Sequence, residues 1–85
     1  MKIRLVETCG ACPEQYDAML DGKCVGYLRL RWGWFTVTCP YVGGKVVYEK
    51  QTGDGLAGMF EDDEQRKKQL KKAKKAIKKW IRAQR

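Results

Sequence analysis

The sequence predicts an α+β fold: an antiparallel four- to five-stranded β-meander with one C-terminal amphipathic basic helix packed on one face. Three observations predict it. Residues 2–50 interleave Val, Ile, Tyr, Phe, Trp and Thr with turn signals at short intervals, the texture of hairpin-linked strands. Residues 61–84 contain neither Pro nor Gly and are rich in Lys, Ala, Gln and Glu, a helical composition. The chain has only 85 residues. A single domain of that size buries about 60% of its unfolded surface, enough for one sheet-and-helix core and too little for a deep catalytic cleft.

Taken in order, Lys2–Glu7 is the first candidate strand. Gln15–Leu20 and Lys23–Arg31 flank Asp21-Gly22. An Asp-Gly pair between alternating residues is a strong hairpin signal, because both turn positions need positive φ. Trp32-Gly33 then returns the chain into Trp34–Cys39, and Gly43-Gly44 into Lys45–Lys50. A competing local reading starts a helix at Pro13, since proline is favoured at the first helical position, and ends it at Gly22. It would set Cys12 at a helix N-terminus.

Residues opposite one another across a two-residue turn share a face. Setting Arg31 against Trp34 pairs Leu30 with Phe35, Arg29 with Thr36, Leu28 with Val37, Tyr27 with Thr38 and Gly26 with Cys39. One face then gathers Leu28, Leu30, Phe35, Val37 and Cys39, with Cys24 and Met19 continuing it. The other carries Tyr16, Tyr27, Arg29, Arg31, Trp34, Thr36 and Thr38, the pattern of a sheet covered on one side and wet on the other.

Residues 1–85 form one domain in this reading, with the meander in 1–50, a Gly-rich crossover in 51–60 and the basic helix in 61–85. Gly53-Asp54-Gly55-Leu56-Ala57-Gly58 spells G-x-G-x-x-G within the crossover. A dinucleotide reading fails, because the helix opens on Glu61, Asp62, Asp63 and Glu64, which would repel a pyrophosphate, and no second parallel strand follows it. Those acids suit the positive end of a helix dipole and lack calcium-loop spacing.

Charge is concentrated at one end of the sequence. Residues 1–60 carry 7 basic and 6 acidic side chains, and residues 65–85 carry 11 basic and no acidic ones, so the net +8 belongs to the helix. At about 100° per residue, Leu70, Ala73, Ala76, Ile77, Trp80 and Ile81 form one stripe. Lys67, Lys68, Lys71, Lys72, Lys74, Lys75, Lys78, Lys79 and Arg82 fill the other side. With the apolar stripe on the sheet, a cationic ridge about 30 Å long faces outward. Its bland reading is a solvated, solubilising surface. Its chemical reading is a nucleic-acid-binding ridge that engages phosphates through Lys67, Lys68, Lys71, Lys74, Lys75, Lys78, Lys79 and Arg82. Lysine positions a polyanion without reading bases, so such binding is largely sequence-independent. A second surface is the wet sheet face, where Tyr16, Tyr27, Arg29, Arg31 and Trp34 suit either unpaired bases or a protein partner. A helix detached onto an anionic membrane is disfavoured by the alanines on its apolar side, and no membrane partner is expected.

No Ser, Asn or His occurs anywhere. Ser-His-Asp and Cys-His nucleophile systems are therefore excluded, and the expectation is a protein that is not an enzyme and carries no cofactor. Cys9-Gly10-Ala11-Cys12 is one C-x-x-C without a second. Cys24 and Cys39 fall at the other end of the meander, so zinc on Cys9 and Cys12 is disfavoured against free thiols. A Cys9–Cys12 redox pair would need a lowered thiol pKa. There is no run of about 18 apolar residues, and the expected location is the cytoplasm.

Thr8-Cys9-Gly10-Ala11-Cys12-Pro13-Glu14-Gln15-Tyr16-Asp17, with Asp21-Gly22-Lys23 and Gly26-Tyr27-Leu28-Arg29-Leu30-Arg31, resembles small uncharacterised phage- and prophage-encoded proteins. The resemblance covers most of the chain, carries no assigned activity and transfers no functional residue. It implies a phage protein in a host cell, and with it two jobs: binding nucleic acid, or inhibiting a host defence or transcription protein. Nucleic acid on the lysine ridge is the leading expectation. The alternative is a protein-binding inhibitor acting through the aromatic and basic residues of the sheet.

Overall fold

The computed structural model describes residues 1–9, 13–52 and 58–84. Strands β1 (Arg4–Cys9), β2 (Glu14–Leu20), β3 (Lys23–Arg31), β4 (Trp34–Cys39) and β5 (Lys45–Gln51) precede one helix, α1 (Asp63–Ala83). The strands lie side by side in sequence order as one antiparallel sheet. Helix α1 packs on one face, closest to β3, β4 and β5. The α+β meander expected from the sequence is the observed fold. The competing helix from Pro13 does not form, because residues from Glu14 onward pair as a strand with both neighbours. Cys12 and the first five residues of the G-x-G-x-x-G stretch lie outside the described residues.

Two tight turns fix the meander. Asp21 and Gly22 have φ of 53° and 80°, and Trp32 and Gly33 have φ of 54° and 76°. Two successive positive φ values give a turn whose twist matches that of the flanking strands. Across the second turn the ladder runs Arg31 to Trp34, Leu30 to Phe35, Arg29 to Thr36, Leu28 to Val37 and Tyr27 to Thr38 as predicted, and ends before the expected Gly26–Cys39 pair.

The β2–β3 ladder departs from the expected register. Leu20 opposes Lys23 and Met19 opposes Cys24, but Ala18 opposes Gly26, so Val25 is an extra residue. A bulge moves every pair beyond it by one residue, and one residue is a change of face. An unbroken ladder would set Tyr16 against Tyr27 on the open face. Tyr16 instead opposes Leu28 and is only 7% exposed. It therefore drops out of the expected partner-binding face. Met19 and Cys24, expected to continue the covered face, are half-buried and lie outside the packed cluster. The gain is an inward row of Tyr16, Ala18 and Leu20, the more apolar side of β2.

The core lies between sheet and helix. Leu28, Leu30, Phe35, Val37 and Cys39 meet Ala73 and Ile77 of α1, and Phe60 closes one end. Phe35 stands edge-on to Tyr48 and Phe60, with ring centroids 6.1 and 5.1 Å away. Ile77 sits over Gly26, where a Cβ would lie 2.8 Å from Ile77 Cδ1 and 3.4 Å from the Ala18 Cβ. The smallness of Gly26 lets the helix approach closely. At its start, Asp62 caps α1: its Oδ1 accepts from the Gln65 N–H at 2.7 Å, while Gln65 Oε1 accepts from the Glu61 N–H at 2.8 Å. This reciprocal arrangement is close to a capping box. Glu61 and Asp62 thus stand before the helix, which begins two residues later than expected.

Candidate functional site

A helix with cations on one side offers them to solvent only if its rotation about its own axis is fixed. Two part-buried polar contacts to the sheet fix it. Glu14, at the start of β2, is 2% exposed and receives Arg66 in a two-point contact, Nε to Oε2 at 2.8 Å and Nη2 to Oε1 at 3.2 Å. The Tyr16 hydroxyl also donates to Glu14 Oε2, and Arg66 reaches on to Asp63. Farther along α1, the Tyr48 hydroxyl donates to Gln69 Oε1 at 2.7 Å. Arg66, Gln69, Ala73 and Ile77 thereby face the sheet together.

Burial opposes ionisation of Glu14. The hydrogen bonds from Arg66 and Tyr16, the Arg66 charge and a backbone N–H at Phe60 outweigh it and hold the carboxyl below its usual range. Burial and the Glu14 carboxylate push the Tyr16 hydroxyl well up, so it remains a donor. The Glu14 bond raises Arg66 further, and that cation is committed to the interior.

The remaining cations of the helix face away. Lys67, Lys68, Lys71, Lys72, Lys75, Lys79 and Arg82 are exposed, and Lys74 and Lys78 are half-buried along the flanks. Among the described residues, Arg66 is the cation in both ion pairs, and no ridge lysine meets a carboxylate. From Lys67 to Arg82 the face extends about 23 Å at 1.5 Å per residue. The ridge expected from the sequence is thus brought together on one surface.

The opposite face of the sheet carries the other predicted residues without Tyr16. Tyr27 and Arg29 are half-buried in the middle of the sheet, and Arg31 and Trp34 are exposed at one end of it. Trp32, at the hairpin tip, is 59% exposed and Trp34 44%. The Arg31 guanidinium lies 5.7 Å from the Trp32 ring centroid. A dimple of about 60 Å³ between Tyr27, Arg29 and Val42 on this face is too small for a bound ligand. The open face therefore offers an aromatic and basic corner rather than a continuous stacking platform. Trp32 was not among the expected site residues, because its place in a turn hid its exposure.

Cys9 opposes Gln15 near one end of the sheet and Cys24 opposes Met19 near the other, about 13 Å apart along the strands. One tetrahedral site cannot join them. Among the described residues no three metal-capable side chains cluster. The Cys39 thiol is buried and pushed up to about 11 by desolvation and the neighbouring Cys24. No α-helix among the described residues is long and apolar enough to cross a membrane. Searches of protein-family models, curated proteins and solved structures found no match to the chain.

Proposed function

We propose that this is a small non-enzymatic protein that binds nucleic acid, largely without regard to sequence, through the cationic face of α1. The observation that carries the reading is the split commitment of one helix. One side is locked onto the sheet through Arg66, Gln69, Ala73 and Ile77, and the opposite side holds a row of cations without internal partners among the described residues. Like charges one turn apart cost a helix a few tenths of a kcal/mol per pair. Solubility alone is served as well by both signs interspersed, without that cost. Here residues 66–85 contain no acid at all.

A face of this kind positions phosphates but lacks side chains that pair with base edges. Comparable affinity for unrelated sequences follows. Fluorescence anisotropy with two unrelated duplexes and a single strand, each at low and moderate salt, tests the reading. Binding that is similar between the duplexes and weakens steeply with salt supports it, and absence of binding at low salt removes it. The phage origin implied by the resemblance, with action in a host cytoplasm, belongs to the same proposal.

The exposed corner of Arg31, Trp32 and Trp34 favours a second reading, in which these residues anchor a host defence or transcription protein. Trp34→Ala separates the two. It would leave nucleic-acid affinity intact in the first reading and weaken inhibition of the host protein in the second.

A further inference from the structure

A single helix is narrower than this sheet. Five strands about 4.8 Å apart span about 19 Å between their outer axes, and a helix is about 10 Å across. Helix α1 lies closest to β3, β4 and β5, leaving a groove of about 810 Å³ between its flank and the β1–β2 side. The groove is an open trough rather than an enclosed cavity. Its apolar floor and walls come from Ile3, Leu5, Tyr16 and Leu70, with Met19 at its edge. Leu5 and Leu70 remain half-buried there, so an occupant would complete their burial. The rim holds Lys2 and Arg4 on one side and Lys67, Lys71 and Lys74 on the other, against a single acid, Asp21.

We propose that this groove docks an acidic amphipathic helix of a partner protein, laid alongside α1. An apolar floor calls for leucine-like or phenylalanine-like side chains, and cations along both rims call for carboxylates flanking them. Lys67, Lys71 and Lys74 recur at helical spacing over about 11 Å. They match acids repeating along a parallel or antiparallel helix, where a single carboxylate head group would engage only one of them. A nucleic-acid backbone gains nothing from the floor. The groove is separable from the nucleic-acid reading, because its floor residues do not belong to the outward ridge.

The probe is a designed peptide of about 18 residues, long enough for helix formation, with Leu and Phe at i, i+3 and i+7 spacing and Glu elsewhere. Its control is the same composition scrambled so that no apolar face forms. The expected result is binding that weakens at least about ten-fold for the scrambled peptide, with NMR shifts in the methyls of Leu5 and Leu70. Leu5→Glu places an acid in the floor and should also cost about ten-fold or more while duplex affinity stays unchanged. Leu70→Gln, on the helix wall, is the second variant should Leu5→Glu fail to fold. Equal affinity for the scrambled peptide, indifference to both folded variants, or the same methyl shifts on adding a duplex would each overturn the proposal. The duplex titrations of the same variants report separately on the ridge.

Discussion

Glu14→Gln keeps the shape of the side chain and removes the charge that receives Arg66. A fully buried pair broken in this way costs about 3–5 kcal/mol. The Arg66 side chain is 27% exposed and can be rehydrated, so about 2–3 kcal/mol is expected in urea unfolding. The effect is pH-dependent with a defined sign. The folded carboxyl titrates below the unfolded reference of 4.5, so its contribution is complete above that value and is lost as pH falls through the lower folded one. The stability difference between wild type and Glu14→Gln should therefore be flat above about pH 5 and shrink below it. Trp32 makes the opposite case. Its φ of 54° costs a bulky residue about 1–2 kcal/mol, more than the roughly 0.5–1 kcal/mol of an exposed cation–π contact with Arg31. Trp32→Asn, which accepts that conformation, should raise stability by about 0.5 kcal/mol. A net loss would show that the ring is held by packing.

At the level of elements, the docking of α1 depends on a shallow seat. Gly26 lies under Ile77, and a Cβ there would press on Ile77 Cδ1 at 2.8 Å and Cγ1 at 3.2 Å. Gly26→Ala should cost about 1–2 kcal/mol, moderated because Cδ1 is the free end of its side chain. In an Ile77→Ala background the same change should become neutral or stabilising, since alanine suits a strand better than glycine. The two-variant cycle measures that coupling by urea unfolding, and additive effects would contradict the seat. The cationic and apolar stripes of α1 were legible from residue spacing alone, because an amphipathic period survives errors of a residue or two at the ends. Its polar fastening was less so. Gln69 and Arg66 project onto the docked side at 100° per residue, but their polarity disguises them until Tyr48 and Glu14 are found beneath.

Across the whole molecule, strand order, the two tight turns and the β3–β4 pairing followed from local signals, since Asp21-Gly22 and Trp32-Gly33 leave little choice of register. The face of Tyr16 did not, because the extra residue at Val25 has no turn residue to announce it and its advantage, Glu14 and Tyr16 turned toward Arg66 of α1, exists only in the folded structure. The candidate ridge was readable for a related reason: unpaired charge on one side of a helix is a property of sequence plus period. The exposed corner at Trp32 required the turn geometry.

The central claim is that one side of α1 holds the sheet while the other holds a polyanion, and the salt dependence of duplex binding tests it most directly. About 4–6 engaged phosphates give a slope of log affinity against log salt near −4 to −5, and Lys71, Lys75 and Lys78 changed together to Gln should make it shallower by about 0.9 for each phosphate no longer neutralised. An unchanged slope in that variant, with its fold intact, would contradict the claim.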